Sequence, residues 1–133
     1  MYFVSVTRLR IRKLRYLAAF FYFTLRSRGQ ARRAAGNLGT AVYGDARLTF
    51  WTITVWRSEQ AMRDFRNLGA HLRAMPKLRA WCDEATYAHW EQEAADPPSL
   101  AHAFERLVAE GIVSRVDHPS LDHASRNFPV PRQ

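Results

Sequence analysis

The chain has 133 residues, which suits one domain with a single core, and 47% of them are hydrophobic, which excludes a largely disordered chain. Its formal net charge is +8. Residues 1–44 hold nine basic and no acidic side chains, and the rest of the chain has a net charge of −1, so the whole excess comes from the first part. Such a charge favours an anionic partner without choosing among carboxylates, phosphates, anionic lipid and nucleic acid. One cysteine, Cys82, excludes an internal disulfide framework and a zinc site of several cysteines, and it fits a reducing cytoplasm.

The first two predicted elements are a strand and a largely apolar helix. Residues 2–11 are rich in β-branched and aromatic side chains, which indicates a strand. Apolar residues then recur at the three- and four-residue spacings of a helix: Leu14, Leu17, Ala18, Phe21 and Leu25. This run of about 12 residues is shorter than the roughly 20 that a membrane span needs, and it lacks the order of a secretory signal. We therefore interpret it as a core helix of a cytoplasmic protein, extended by the basic residues 26–37.

A hairpin is predicted next. Residues 38–43 and 48–56 have the composition of strands, and residues 44–47 suit a short hairpin loop. In the second of these strands Phe50 and Trp56 point to one side, whereas Trp51 points to the other. Large apolar groups on both sides of a strand indicate a sheet that is buried on two faces.

Helices are predicted on both sides of a fourth strand. Ser58 is a suitable N-cap for a helix that ends at Pro76, where a short helix over residues 77–84 begins. Residues 86–92 follow as the fourth strand.

The end of the chain is predicted to add one helix and a tail. Ser99 caps a helix with a 3.6-residue period that Gly111 closes, and residues 112–116 suit a short edge strand. The segment 117–133 has prolines, polar residues and no period, so we expect it to be extended. The predicted organisation is one domain over residues 1–116 followed by this tail.

The order strand, helix, strand, strand, helix, strand is typical of the ferredoxin-like α+β fold. It predicts a four-stranded antiparallel sheet with helices on one face. The opposite face would then expose tryptophan and valine side chains to water. Pairing with a second copy, face to face, would cover them, so we predict a homodimer with the form of a dimeric α/β barrel.

The segment TFWTITVWRSEQAMRDFRNLGAH, residues 49–71, resembles the dimeric α/β-barrel superfamily, which includes the antibiotic-biosynthesis monooxygenases, haem-degrading monooxygenases, chlorite dismutase and spheroidene monooxygenases. The nearest resemblance is to the spheroidene-monooxygenase-like group of bacterial proteins, which have a tryptophan-rich strand before the positions Ser58, Met62, Phe65 and the run Gly-Ala-His at 69–71. It implies a monooxygenase-like protein that acts on or binds a hydrophobic small molecule. The alternative is a non-catalytic binding or sensing module with a basic face for anionic partners.

The resemblance implies haem as a candidate cofactor, with His71 as its candidate ligand or as a proton shuttle, and otherwise no cofactor. Haem-degrading members have tryptophan where Phe65 stands and a haem-ligating histidine near Met75, so we do not expect their reaction here. Apart from iron at His71, no metal site is predicted. The candidate pocket-lining residues, which would otherwise serve the core and the dimer interface, are Trp51, Trp56, Phe65, Met75, Tyr87 and His89.

Four arginines are candidate anion-binding residues: Arg26, Arg28, Arg32 and Arg33. They would hold carboxylates in bidentate pairs, contact an anionic membrane surface weakly, or form a solvated basic face. Nucleic acid is disfavoured because no recognition motif accompanies them. No glycine-rich phosphate loop, nucleophile elbow or catalytic triad motif occurs, so hydrolase and kinase functions have no support. Three further histidines are interpreted as surface or tail residues: His102, His118 and His123.

Overall fold

The computed structural model describes residues 1–132. Its strands and helices, in chain order, are β1 Tyr2–Ile11, α1 Leu17–Arg33, β2 Asn37–Asp45, β3 Thr49–Trp56, α2 Glu59–Arg66, α3 Gly69–Trp81, β4 Cys82–Gln92, α4 Leu100–Glu110, β5 Ile112–Val113 and α5 Leu121–Ser125. A single turn of 3-10 helix, Leu14–Tyr16, precedes α1. None of the helices in this described part of the chain is long and apolar enough to cross a membrane.

The strands form one antiparallel sheet in the order β2-β3-β1-β4-β5. The central strand β1 pairs along its length with β3 on one side and with β4 on the other. The predicted ferredoxin-like α+β fold is therefore confirmed. The two-residue β5, at the edge of the sheet beside β4, is the short edge strand that residues 112–116 indicated.

One face of the sheet carries α1, α2 and α3, as predicted. Phe3 of β1 and Trp56 of β3 pack there against Phe65 of α2 and Ala31 of α1. Ser58 caps α2 by accepting a hydrogen bond from the backbone N–H of Ala61, as the sequence indicated. We call this side of the sheet the helix face.

The opposite face is covered by α4 and by the last residues of the chain. Val4 and Val6 of β1 and Trp51 of β3 are completely buried there, in one cluster with Leu107 of α4. Phe128 packs on the same cluster. The sequence indicated that this face needs a second copy of the chain, but the chain's own C-terminal third covers it. The homodimer and the dimeric barrel stay predictions.

The prediction that Pro76 ends a helix is wrong. The chain breaks earlier, between α2 and α3, and α3 then continues through Pro76 to Trp81. Gln30 of α1 holds this break, since its side-chain amide donates to the backbone carbonyls of Phe65 and Leu68 at 3.1 and 2.7 Å. Because Pro76 has no N–H, the carbonyl of the exposed Leu72 loses its helical partner but stays within reach of water.

The sequence predicts an extended segment after Val116, but part of this segment is helical. It contains α5, whose His123 was interpreted as a tail residue but is buried at 7% exposure. The backbone N–H of Ala85 donates to Nδ1 of His123 at 3.3 Å, which fixes α5 against β4. Near the end of the chain, the backbone N–H of Arg132 donates to the Asp45 carboxylate, so the segment crosses to the β2–β3 hairpin. The boundary at residue 116 stays a prediction.

The buried side of α1 differs from the predicted stripe. Phe20 and Ala31 are buried, whereas Leu14, Phe21 and Leu25 are exposed. The helix is apolar on several sides, so its periodicity did not determine which side meets the sheet. Several apolar side chains of α1 therefore do not pack in the core of this chain.

Candidate functional site

A cavity of about 520 Å³ lies between the helix face of the sheet and the helices α1, α2 and α3. This volume is in the range of cavities that hold small organic ligands. Apolar and aromatic side chains form much of the wall, among them Phe20, Phe23, Phe50, Met62, Phe65, Met75 and Leu78. The sheet supplies the floor and the three helices supply the roof.

The floor carries a band of polar side chains across three neighbouring strands. In one row, Thr54 of β3 lies beside Ser5 of β1, and Ser5 lies beside His89 of β4. In the next row Thr52, Thr7 and Tyr87 follow in the same order. All six line the cavity. A ligand on this floor would meet hydroxyl groups and one imidazole.

Apolar rows flank this polar band on both sides. Phe3 and Trp56 pair at one end, and Leu9 and Phe50 pair at the other. Since residues of one face recur every second position along a strand, the band is a direct result of the alternation in β1 and β3. The cavity therefore has a polar centre inside an apolar wall, which suits a flat, mainly hydrophobic molecule with a polar group.

His71, in the first turns of α3, projects into the cavity from the roof. Its ring lies 4.7 Å from the Phe65 ring, and Phe65 stacks on Trp56 at 5.1 Å. Nδ1 of His71 is 3.4 Å from the backbone carbonyl oxygen of Arg66. Burial lowers the pKa of His71, the carbonyl contact opposes this effect, and the positive charge of Arg66 adds to it. The imidazole is thus neutral at neutral pH.

The position of His71 depends on the break between α2 and α3. Gly69 begins α3 with a positive φ of 59°, a conformation that glycine adopts most easily. Gln30 of α1 accepts a hydrogen bond from the backbone N–H of His71 at 3.1 Å, and it also holds the end of α2. One side chain of α1 therefore sets both the break and the start of the helix that carries His71.

His89 lies on the floor, beside Tyr87 and Phe3, with both ring distances at 5.1 Å. Burial lowers the pKa of His89; the positive charges of Arg66 and Arg63 add to this effect, whereas Glu59 opposes it. The cavity thus contains two neutral imidazoles, one on the roof and one on the floor. Neutral imidazoles accept protons and ligate metals.

The charged residues of the cavity are all basic. Arg28, Arg66, Arg79 and Arg115 line it, and among residues 1–132 no acidic side chain does. Arg79 pairs with Asp117 at 3.4 Å. Within the same described part of the chain, Arg28 and Arg66 form no ion pair and donate no side-chain hydrogen bond.

The structure brings together most of the predicted pocket residues. His71, Phe65, Met75, Tyr87 and His89 all line the cavity. Two tryptophans do not. Trp56 is fully buried behind Phe65, and Trp51 lies on the opposite face, where its indole N–H points to Asp45 at 3.4 Å. Their large apolar side chains serve the two cores of the sheet.

The four predicted anion-binding arginines separate. Arg28 lines the cavity. Arg26, Arg32 and Arg33 are exposed, and the first donates to the hydroxyl group of Tyr22 while the last donates to the carbonyl of Gly29. Positions 28 and 32 lie on one side of the helix and positions 26 and 33 on the opposite side, so the four arginines do not form one site.

Sequence reasoning missed the floor hydroxyls and Arg66. The signal for the hydroxyls was present, because serine and threonine alternate with valine and isoleucine in Ser-Val-Thr at residues 5–7 and in Thr-Ile-Thr at residues 52–54. Small hydroxyl side chains at every second position leave space above a strand. For Arg66 no such signal existed, since its place in the cavity wall depends on how α2 packs over the sheet.

A second group of charged residues lies on the other face, at the far end of β1. Glu84 accepts hydrogen bonds from Arg8 at 2.7 Å, Arg10 at 3.0 Å and Ser120 at 2.9 Å. Burial by itself raises the pKa of Glu84, but these three donors outweigh it and lower the pKa. The group joins β1, β4 and the segment before α5, which is a structural role. Within residues 1–132, no three His, Cys, Asp or Glu side chains form a group suited to a metal ion.

The fold and the cavity define a ferredoxin-like α+β protein with a ligand-sized site between sheet and helices. The chain belongs to the family described as Domain of unknown function (DUF3291), which matches residues 17–111. None of the curated proteins matches the sequence.

Solved structures that share the fold include antibiotic-biosynthesis-monooxygenase-like proteins, as the sequence resemblance implied. A protein of Nitrosomonas europaea named as an antibiotic biosynthesis monooxygenase is similar with a TM-score of 0.61 and 15% identity, over 68% of this chain and 89% of the other. Rv0793 of Mycobacterium tuberculosis has a TM-score of 0.64 and 11% identity, over 71% and 97%.

SnoaB of Streptomyces nogalater, named as a cofactor-independent oxygenase, has a TM-score of 0.58 and 17% identity, over 70% of this chain and 94% of the other. At identities this low the three likenesses concern the fold alone.

Proposed function

We propose that this protein is a monooxygenase-like protein that binds and oxidises a hydrophobic small molecule in the cavity on the helix face. The observation that carries the proposal is the cavity of about 520 Å³, with its aromatic wall and its two neutral histidines, His71 and His89. The likeness in fold to SnoaB, named as a cofactor-independent oxygenase, supports it. We also propose that, among the proteins with this fold, the chain is most similar in function to the spheroidene-monooxygenase-like group.

A reaction without a redox cofactor needs a substrate that supplies its own electrons. An activated methylene group does so when dioxygen oxidises it to a ketone. One oxygen atom forms the new carbonyl group, and the other is reduced to water with the two hydrogens that leave the methylene carbon. The first step is removal of a proton from that carbon. His71 or His89, neutral in the cavity, would accept the proton as a general base.

The cavity would support this step in two further ways. With a substrate bound against its aromatic wall, the cavity would exclude water from the reacting group, which would strengthen electrostatic interactions there. The hydroxyls of Ser5, Thr7, Thr52 and Thr54 would donate hydrogen bonds to the oxygen of a substrate ketone as negative charge develops there. The roof and the floor thus supply a base and hydrogen-bond donors on opposite sides of a flat substrate.

Haem is a second candidate for the same cavity, and one contact favours it. Nδ1 of His71 faces the carbonyl of Arg66, which is the arrangement that orients an imidazole for metal ligation through its other nitrogen. Arg28 and Arg66 would hold the two propionates. When bound, haem would supply the one-electron and oxygen chemistry that side chains lack.

Oxygen uptake and absorbance test these alternatives together. Purified protein is incubated with anthrone, a flat aromatic ketone with an acidic methylene group, and oxygen consumption is followed in the wild type, His71→Ala and His89→Ala. We expect uptake that falls at least about tenfold in one of the histidine variants. The exposed His102 provides the matched control, His102→Ala, which should keep full activity.

The outcomes separate the candidates. A Soret band on haem titration that disappears in His71→Ala would favour haem. Absence of oxygen uptake and of a Soret band, together with binding of apolar probes, would replace the oxygenase with a non-catalytic binding module. Failure of the folded protein to bind any apolar probe would refute the proposed function.

The homodimer is a further part of the proposal. Because α4 covers the second face of the sheet, the surface that supports dimerisation is instead the set of exposed apolar side chains on α1, which includes Phe21, Tyr22 and Leu25. The arginines around them equally suit a weak contact with an anionic membrane surface. A cytoplasmic location, and a division of the chain into a domain over residues 1–116 and a C-terminal segment that packs on it, complete what we propose.

A further inference from the structure

We propose that the cavity recognises a negatively charged oxygen group on its hydrophobic ligand, a carboxylate in the first instance, and that Arg28 and Arg66 hold it. This inference rests on the proposed function, since it concerns the ligand of the same cavity. It narrows the ligand from any hydrophobic small molecule to a hydrophobic acid.

The first argument is the charge of the lining. Four arginines reach the cavity, and acidic side chains are missing from its wall throughout residues 1–132. Of these four arginines, only Arg79 has an acidic partner among residues 1–132, which is Asp117. Positive charges in a partly desolvated cavity repel one another and lose hydration, so the protein carries a cost that an anion would relieve.

The second argument is the buried and unpaired Nε atom of Arg28. This atom donates no hydrogen bond to any atom of residues 1–132. Buried donors in proteins almost always have an acceptor, so an unpaired one beside a cavity indicates where a ligand oxygen belongs. A guanidinium matches a carboxylate through two parallel N–H donors.

The third argument is the position of Arg66. It lines the cavity at the end of α2, and its charge acts on both His71 and His89. An anion beside Arg66 would therefore lie close to the groups proposed to accept a proton. Arg28 comes from α1 and Arg66 from α2, so the two side chains line the cavity from different helices of the roof.

A pair of fluorescent probes tests the inference. Anilinonaphthalene sulfonate carries an anionic group, and phenylnaphthylamine has the same ring system without it. We expect the wild type to bind the anionic probe about tenfold more tightly or better, and Arg28→Gln and Arg66→Gln each to remove most of that difference. Binding of the neutral probe should change less than about twofold.

The matched control is Arg32→Gln, which removes the same charge from an exposed position one turn further along α1. It should leave both affinities unchanged. Arg28→Lys keeps the charge but loses the bidentate geometry, so it should fall between the wild type and Arg28→Gln. Circular dichroism confirms that each variant is folded.

Competition identifies the natural head group and its source. Dodecanoate should displace the neutral probe from the wild type more effectively than dodecanol does, and this preference should vanish in Arg28→Gln. Haemin, whose propionates carry the same chemistry, would instead reveal itself by a Soret band that Arg28→Gln weakens.

Two results would overturn the inference, and they differ in what else they overturn. Equal binding of both probes, unaffected by Arg28→Gln and Arg66→Gln, refutes the anion site but leaves the hydrophobic cavity intact. Binding of neither probe by the folded wild type refutes the cavity as a ligand site, and with it the proposed function.

Discussion

Glu84→Ala should destabilise the protein strongly, because it isolates a buried charge. Arg8 and Glu84 form an ion pair at 2.7 Å with side-chain exposures of only 4% and 3%. Removing one partner of such a pair typically costs about 3–5 kcal/mol, since the remaining charge stays buried without compensation. Arg10 and Ser120 lose their acceptor in the same change. We expect a loss of about 4 kcal/mol in the free energy of unfolding.

Urea denaturation followed by circular dichroism measures this loss. The matched control is Glu59→Ala, which breaks the exposed pair with Arg63, where both side chains are about half exposed. Such surface pairs contribute about 1 kcal/mol or less. A loss below about 1 kcal/mol for Glu84→Ala, equal to that of the control, would show that Arg8 reaches water or another acceptor and would refute the reasoning.

The same pair predicts how stability responds to acid. The hydrogen bonds to Glu84 lower its pKa in the folded protein despite burial. A lowered folded pKa means that the contribution to stability is present above the unfolded pKa of about 4.3 and is lost as the pH falls through the folded pKa. Glu84→Ala should therefore flatten the acid limb of the stability profile, whereas Glu59→Ala should not.

Three shorter predictions concern other parts of the fold. Leu107→Ala should cost about 2–5 kcal/mol of unfolding free energy in a thermal or urea melt, because Leu107 of α4 is completely buried against the chain's own sheet. Cys82, whose pKa burial raises to about 12, should react with a thiol reagent at about pH 8 only after unfolding in urea. Burial lowers the pKa of His71 and His89, so unfolding free energy should fall as the pH drops below the unfolded value of about 6.5, and His71→Gln should reduce that slope.

The fold was predictable because its strands obey a simple periodicity. Alternation in residues 2–11 and 48–56 identified β1 and β3 and assigned their side chains to two faces, which the pairing of Val4 with Val55 and of Phe3 with Trp56 confirms. The strand and helix order then left one common topology. What periodicity could not decide was the orientation of α1, because a helix that is apolar on several sides has no unique buried stripe.

The helix boundaries failed for a different physical reason. A proline ends most helices, but Pro76 lies at an exposed position where the unpaired carbonyl of Leu72 can be hydrated. The actual break after α2 depends on Gln30, which lies more than 30 residues away in the sequence. Local patterns carry no information on such a long-range contact.

Half of the candidate site followed from the sequence, and the other half required the fold. His71, His89, Tyr87 and Phe65 were predicted and lie together in the cavity. Arg28 was one of four equivalent arginines until the structure placed it inside. An arginine can bind a ligand in the cavity only if its side chain lies in the cavity wall. The packing of α1 on the sheet determines which arginine does so, and the local sequence does not show this packing.

The face of the sheet that α4 covers lies opposite the cavity, so the dimer surface that the sequence indicated and the ligand site are on different sides of the sheet. The sequence argument for a dimer assumed that this face lacked a cover, but α4 and Phe128 bury Trp51 and Ile53 within the chain. The cavity lies on the opposite side of the sheet, and its floor and its helical roof come from the same chain. One protomer therefore supplies both histidines and all four arginines that line the cavity. Dimerisation through α1 would change stability or access to the cavity, while the histidines and arginines that we assign to the ligand stay in place.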